Sequence, residues 1–204
     1  MTESDLKANL RRYLQDGREA MLWKLDGLSE YDLRRPLVPT GTNLLGLVKH
    51  LAAVEMGYFG ITFGRPCPDM IPVDESDPNA DLFATPEESR GFIADLYRRA
   101  WTHSDATIEA LSLDAVGQVP WWPPERCEIT LHHALVRVVA ETSRHAGHAD
   151  IVRELIDGAV GLTTERPNIP DGDGAWWSAQ WARVEQAAQE AAEGDAPGGG
   201  KTAL

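Results

Sequence analysis

The sequence predicts an all-α protein, a four-helix bundle with an additional short helix near its C-terminal end. Four long segments repeat apolar residues every three or four positions, as amphipathic helices do. The segments between them are rich in Pro, Gly and Asp, which favours turns and loops. No series of alternating apolar and polar residues indicates a sheet, and no internal repeat is visible. Together these observations favour packed helices around one core.

The first two helices are predicted from apolar periodicity. The first covers residues 3–28 and ends near Gly27, since glycine suits the end of a helix. Two prolines and a glycine make the next stretch a connector. The second helix is predicted from about Asn43 to about Phe63, with Thr42 as its N-cap.

A long loop and a third helix follow. Residues 64–83 are rich in Pro and Asp and show no period, which indicates a loop, and a loop of this length is often functional. Thr85 resembles an N-cap, and Pro86 suits the first turn of a helix. The third helix is therefore predicted to begin there and to end near Leu113.

Residues 117–129 contain three prolines and the adjacent Trp121 and Trp122. We predict a rigid surface loop with room for one short strand, in which the indoles either wall a pocket or cap the end of the bundle. The fourth and longest helix is predicted from near Thr130 to Gly158, a suitable C-terminal glycine.

A short fifth helix is predicted over residues 176–192, with Trp177 and Trp181 on one face. The last residues hold too little apolar surface to order. We therefore expect one domain over residues 1–192 and a flexible tail over residues 193–204.

Composition and charge exclude several classes of function. The chain carries 19 basic and 32 acidic residues, a formal charge of -13 that opposes binding to nucleic acid and to anionic lipid. Its longest apolar stretch is interrupted by Lys49, His50 and Glu55, which argues against a membrane span, and no export signal is visible. Two cysteines are too few for a disulfide framework, so the cytoplasm is the simplest location.

The residues that suggest chemistry are Glu141 and His145 on the fourth predicted helix. They are four positions apart and therefore project from the same face, where they can grip one metal ion. A catalytic metal needs three protein ligands and an open position. His50, flanked by apolar residues on the second predicted helix, is the candidate third ligand.

Alternatives stay open at this point. His145 and His148, three positions apart, can also chelate an ion, in which case Glu141 would hydrogen-bond to a ligand and orient it. Spacing does not decide between Glu141 and His148 as the third ligand. A protein without metal, in which Glu141 and His145 form a buried ion pair, also fits the pattern. His133 shares a face with Glu141 and is expected to line the same cavity, whereas His103 and His132 are expected at the surface.

Two blocks of sequence resemble the DinB-like superfamily: TGTNLLGLVKHLAAVEMGYF and the stretch from Trp121 to Gly158, especially ETSRHAGHADIVRELIDG. The similarity covers roughly residues 5–190 and is greatest to an actinobacterial branch whose members largely have no established activity. It implies a four-helix bundle with a metal site near one end. In the mycothiol-dependent maleylpyruvate isomerase of this superfamily, the implied ligands are a His on the second helix and a Glu-x3-His on the last core helix. These positions match His50, Glu141 and His145 of this chain.

The resemblance also implies a chemistry. Many relatives have His-x3-His where this chain has Glu141, so the ion stays open among zinc, which we favour, nickel, iron and manganese. Superfamily members include S-transferases that use mycothiol or bacillithiol. We therefore expect a divalent metal that activates the thiolate of a mycothiol-type cofactor toward a small electrophilic substrate, in an S-transferase or isomerase.

Other assignments follow from the same residues. Arg137, Arg144 and Arg153 either bind carboxylate or sugar groups of the thiol cofactor or form ion pairs on the helix surface. The alternative function is a non-catalytic metal-binding or stress-associated bundle that acts through a protein partner. A homodimer is compatible with the apolar surfaces of the helices, and the substrate is not specified by the sequence.

Overall fold

Helices dominate the computed structural model, which describes residues 2–70 and 76–194. The all-α class is confirmed. The chain forms two compact units, Met1–Pro167 and Asn168–Leu204. The single domain over residues 1–192 stays a prediction, and residues 195–204 of the expected tail lie outside the described residues.

The first unit contains five α-helices and a small antiparallel sheet in its described part. The helices are α1 Glu3–Trp23, α2 Glu30–Arg34, α3 Leu44–Glu55, α4 Arg90–Ala110 and α5 Leu131–Asp157. Strand β1, Val116–Gln118, pairs with β2, Glu128–Thr130. The second unit contains α6, Gly174–Gly194, which includes the predicted fifth helix.

Local signals account for the ends of α5, the longest helix. The Thr130 hydroxyl accepts a hydrogen bond from the backbone N–H of His133, which satisfies one donor that the first turn leaves free. Gly158 ends the helix in the left-handed conformation, at φ 78°, which costs glycine little. The predicted bounds of this helix are confirmed.

Two helix starts differ from the prediction. The N-cap of α3 is Asn43 and not Thr42, because the Asn43 side chain accepts from Gly46 N–H at 2.8 Å. The N-cap of α4 is Ser89 and not Thr85. Thr85 instead opens a turn, in which its backbone N–H donates to the Glu88 carboxylate at 2.8 Å.

Three segments have secondary structure that the prediction did not include. Residues 30–34 form α2, capped by Ser29, within a stretch predicted to be a connector. The proline-rich residues 117–129, predicted to hold one short strand, contain parts of two paired strands, β1 and β2, with the turn between them. After Glu55, α3 continues as a π-helical turn, Met56–Gly60, and a 3-10 turn, Ile61–Phe63, so the predicted second helix is continuous but irregular at its end.

The long helices of the first unit pack on one another: α1 on α5, and α3 on both α4 and α5. The stretch Leu44–Phe63 is long and apolar enough to cross a membrane, but 78% of its apolar window is buried inside the fold. It is therefore the core element of the unit. Its central position brings one face of α3 against α5, where the predicted ligands lie.

A buried ion pair ties three of these helices together. The Arg18 guanidinium of α1 donates to both carboxylate oxygens of Glu55 at 2.8 and 2.6 Å, and neither side chain is exposed by more than 1%. The same guanidinium reaches Asp105 of α4 at 3.0 Å. Bidentate geometry compensates part of the cost of burying the two charges.

In the second unit, α6 begins where the Asp173 carboxylate accepts from the backbone N–H of Trp176 at 2.8 Å. The Trp176 and Trp177 rings meet edge to face, with centroids 4.7 Å apart.

Candidate metal centre

His50, Glu141 and His145 come together between α3 and α5. Each offers one ligand atom, and the three atoms all lie within 4.8 Å of one another. Glu141 Oε1 is 3.2 Å from Nε2 of His145 and 3.7 Å from Nε2 of His50. Two imidazole nitrogens and one carboxylate oxygen form a donor set suited to a divalent ion. The set can therefore hold a metal.

The backbone explains this convergence. Glu141 and His145 lie one turn apart on the same face of α5. His50 faces them from α3, and its ring is edge-on to that of His145, with centroids 4.9 Å apart. The side chains are 20% (His50), 30% (Glu141) and 13% (His145) exposed, so the centre is sheltered but open to solvent on one side.

Asp81 joins the centre from the loop between α3 and α4, and sequence reasoning missed it. Its Oδ2 lies 2.7 Å from Nδ1 of His50, the ring nitrogen that does not face Glu141. A carboxylate behind a histidine ligand fixes the tautomer and the orientation of the ring. The sequence signal for it was the loop over residues 64–83, which is rich in Asp and of a length that is often functional. That signal did not identify which aspartate lies at the site.

One face of α3 clamps the loop that carries Asp81. The Asn43 side chain donates to the Leu82 carbonyl at 3.1 Å, and Lys49 Nζ donates to the carbonyls of Ala80 and Phe83 at 3.0 and 3.1 Å. Between them, a Cβ at Gly46 would overlap the Leu82 carbonyl oxygen. The loop backbone therefore lies directly on the helix, one turn before His50.

Lys49 also holds the loop through an ion pair. Its ammonium group contacts the Glu88 carboxylate at 2.8 Å, and its side chain is only 6% exposed. Because the same Glu88 oxygen accepts from Thr85 N–H, the clamp extends to the turn that precedes α4. Because the buried Lys49 ammonium group is held by three oxygen acceptors, freeing it is costly, which gives the loop a fixed position.

The pKa values of the two histidines in the centre are shifted in opposite directions. Burial lowers the pKa of His50, but the hydrogen bond and charge of Asp81, with Glu141, outweigh it and raise that pKa above its ordinary value. Burial and the neighbouring His50 lower the pKa of His145. The hydrogen bond from His50 lowers the pKa of Asp81. An ionised Asp81 accepts from Nδ1–H of His50, which leaves Nε2 turned toward Glu141.

His148 takes a different position from the other two histidines. Its Nδ1 lies 3.3 Å from Nδ1 of His145, the ring nitrogen opposite the one that faces Glu141. Among the described residues, the group close enough to share an ion contains Glu141 and not His148. This geometry favours Glu141 as the third ligand and places His148 behind His145.

Two cavities that share Arg137 as a lining residue lie along and beside α5, and together we call them the cleft. The part next to Glu141 has a volume of about 470 Å³ and is lined by His133, Val136, Arg137, Ala140, Glu141 and Arg144. A second part of about 280 Å³ lies around Trp122, Pro123, Arg126 and Arg137. His133 lines the cavity as predicted, and Arg137 borders both parts.

Arg137 is held in place by aromatic side chains. Its Nε donates to the Tyr58 hydroxyl at 2.6 Å, and its guanidinium lies 5.5 Å from the Tyr58 ring centroid and 5.2 Å from that of Trp122. Tyr58 belongs to the π-helical turn, a form often found at functional sites. Trp121 packs against Tyr58, with centroids 5.4 Å apart.

The remaining predicted residues lie elsewhere. Arg153 is 8% exposed and pairs with Asp157, and its guanidinium also donates to the Lys24 carbonyl at 2.9 Å. Of the two predicted roles, cofactor binding and an ion pair on its helix, the structure favours the ion pair. His103 Nε2 lies 2.6 Å from the Arg65 carbonyl oxygen. His132 is exposed.

Comparison with known proteins identifies a family. A family model described as Mycothiol-S-transferase matches residues 9–158. The matched range is more than half of the chain and includes both helices of the centre, the loop with Asp81, and the cleft. A search of curated proteins returned no match.

Proposed function

Because the chain belongs to the mycothiol S-transferase family, within the DinB-like superfamily, we propose that it is a metal-dependent thiol S-transferase or isomerase. The observation that carries this proposal is the convergence of His50, Glu141 and His145 beside an open cleft. The substrates would be a mycothiol-type thiol and a small electrophile.

The proposed ligands are His50, Glu141 and His145. The two-nitrogen, one-oxygen set suits zinc, which we favour, and also nickel, iron or manganese. A bound divalent ion would supply positive charge that keeps a thiol deprotonated near neutral pH. Three protein ligands leave a position free, which is the arrangement of catalytic and not of structural sites.

The chain's own residues have separate tasks in this proposal. Asp81 holds the His50 ring so that Nε2 faces the other two ligands. The Glu141 carboxylate offsets one positive charge of the ion. Partial exposure of Glu141 leaves a path for a thiol from the cleft, while the burial of His145 limits access from the side of the core.

We assign cofactor binding to Arg137 and Arg144, which line the cleft on the same exposed face of α5 as Glu141. Guanidinium groups donate several hydrogen bonds in one plane and suit the oxygen-rich groups of a polar thiol. A cleft of about 470 Å³ is within the usual range for small-molecule sites. This volume supports an enzyme over the alternative of a non-catalytic metal-binding bundle, which a pocket too narrow for a cofactor would favour.

The experiment that tests the proposal is a conjugation assay. The purified protein, supplied with one divalent metal at a time, is incubated with mycothiol and a panel of electrophiles, and thiol loss and adduct formation are followed by mass spectrometry. We expect metal-dependent adduct formation that is lost in His145→Ala. A protein that binds metal but forms no adduct with any electrophile would instead support the non-catalytic alternative.

We further propose that the protein acts in the cytoplasm, where a low-molecular-weight thiol is kept reduced. Its charge of -13 argues against nucleic acid and anionic membranes as partners. A homodimer stays a proposal that gel filtration with light scattering would test.

A further inference from the structure

Most arginines of this acidic protein are paired with a carboxylate, and the exceptions cluster. Ten of the fifteen arginines have a carboxylate oxygen within 4.0 Å. In the described part of the chain, five have none: Arg65, Arg126, Arg137, Arg144 and Arg183. Three of these five line the cleft beside the metal centre.

The three cleft arginines are available to a ligand. Among the described residues, the side chains of Arg126 and Arg144 donate no hydrogen bond, and the Arg137 side chain uses only Nε, for the Tyr58 hydroxyl. The two terminal nitrogens of Arg137 are therefore free to donate to an anion. The acid that shares the cleft with Arg137 and Arg144 is Glu141, which a metal ion would engage.

The two parts of the cleft differ in chemistry. The part next to Glu141 is close to the proposed position of the thiol sulfur. The part around Trp122 contains two arginines, Arg126 and Arg137, and an indole wall. Arg137 lies four residues before Glu141, about 6 Å along the helix axis. A molecule bound at Trp122 can thus extend to the metal centre.

From this arrangement we infer that the part of the cleft formed by Trp122, Arg126 and Arg137 binds the acidic end of an aromatic carboxylate, which is the electrophilic substrate. Arg137 borders both parts, so one of its terminal nitrogens can donate to this carboxylate and the other to the thiol cofactor. The inference rests on the proposed function. In that function, the thiol is anchored by its sulfur at the metal, whereas the electrophile needs an anchor of its own. The guanidinium groups of Arg126 and Arg137 bind the carboxylate of the electrophile, and the Trp122 indole offers a flat apolar surface to its aromatic ring.

The first test measures binding without thiol or metal. The probes are 2-naphthoate and its uncharged analogue 2-naphthamide, titrated by calorimetry into the metal-free protein at low salt. We expect the acid to bind at least about tenfold more tightly than the amide, because its carboxylate accepts charge-assisted hydrogen bonds. Arg126→Gln should remove this preference, and Arg183→Gln, an unpaired arginine on α6, should keep it.

Arg126→Gln is the decisive variant because the exposed Arg126 side chain makes no hydrogen bond or ion pair with the described residues, so the variant should fold as the parent does. Equal affinity for acid and amide, no binding of the acid up to millimolar concentration, or an unchanged preference in Arg126→Gln would each overturn the inference. None of these outcomes bears on metal binding, so failure here is distinct from failure of the proposed function.

A kinetic test then separates the two substrates. With an aromatic electrophile that carries a carboxylate, Arg126→Gln should raise the KM for the electrophile about tenfold and leave the KM for the thiol unchanged. Arg144→Gln, at the other end of the cleft, should change the KM for the thiol instead. An increase confined to the thiol KM in Arg126→Gln would show that this part of the cleft binds the cofactor, and would overturn the inference.

Discussion

Nδ1 of His50 lies 2.7 Å from Oδ2 of Asp81, and this contact joins the proposed metal centre to the loop between α3 and α4. The two residues are 31 positions apart. The contact orients His50 toward Glu141 and His145. Replacing Asp81 therefore affects the centre without removing a proposed ligand.

For Asp81→Asn we predict a metal affinity weaker by about tenfold to a hundredfold, the usual effect of losing a carboxylate behind a histidine ligand. Competition with a chromogenic chelator measures it. Asp77→Asn is the matched control, because Asp77 lies in the same loop and its side chain accepts from Asn79 N–H at 3.0 Å without contacting His50. Equal affinities for the parent and both variants would contradict the role of Asp81.

The same pair predicts a pH dependence in the metal-free protein. The His50 pKa is raised above its ordinary 6.5, so its contribution to stability is complete below that value and is lost as pH rises through the raised pKa. The Asp81 pKa is lowered from 3.8, so its contribution is present above 3.8 and is lost as pH falls through the lowered pKa.

Asp81→Asn should therefore reduce the free energy of unfolding most between pH 3.8 and 6.5, with a smaller difference at higher pH. Urea denaturation across this range checks the window. Histidine NMR titration should show His50 titrating at higher pH than His145, and the variant should bring the two pKa values closer. The same order of titration with an unchanged gap in the variant would argue against Asp81 as the cause.

Gly46→Ala tests the clamp that positions Asp81. The added methyl group would overlap the Leu82 carbonyl oxygen, so the loop must move. We predict a loss of about 1–3 kcal/mol in the free energy of unfolding, together with weaker metal binding. The control is Gly147→Ala on α5, where a Cβ meets nothing within 4 Å.

At Gly147 alanine should stabilise the protein by about 0.5–1 kcal/mol, since glycine is unfavourable inside a helix. Thermal denaturation and chelator competition on both variants give the comparison. If Gly46→Ala behaves like Gly147→Ala, the loop does not depend on close contact with α3.

Glu55→Gln tests the buried ion pair that joins α1 to α3. Loss of the carboxylate leaves Arg18 buried with Asp105 as its remaining partner. We predict a cost of about 3–5 kcal/mol in the free energy of unfolding. Glu109→Gln, which breaks an exposed pair with Arg11, should cost less than about 1 kcal/mol. Similar costs for the two variants would contradict the structural role of the Arg18–Glu55 pair.

The parts of the fold that local signals specify were predictable from sequence. Thr130 and Gly158 mark the two ends of α5, and the spacing of Glu141 and His145 then places both on one face. His50 was predictable because its neighbours on α3 are apolar and buried. These inferences need only helical geometry.

The parts that depend on tertiary contacts were not predictable. Thr85 carries the same N-cap signal as Ser89, but Glu88 is held by Lys49, so residues 85–88 form a turn and α4 begins later. Asp81 lies in a loop without periodicity, and only the clamp from α3 brings it to His50. The cap of α2 was readable, since Asp32 follows Ser29 by three residues, but the nearby prolines concealed it.

The central claim is that His50, Glu141 and His145 bind one divalent metal ion. The most direct test is elemental analysis of protein purified without added metal, for the parent chain, His50→Ala and the control Gly147→Ala. We predict about one equivalent of a single divalent metal in the parent and in the control, and almost none in His50→Ala. Equal and negligible metal in all three proteins would contradict the account and leave Glu141 and His145 as an ion pair.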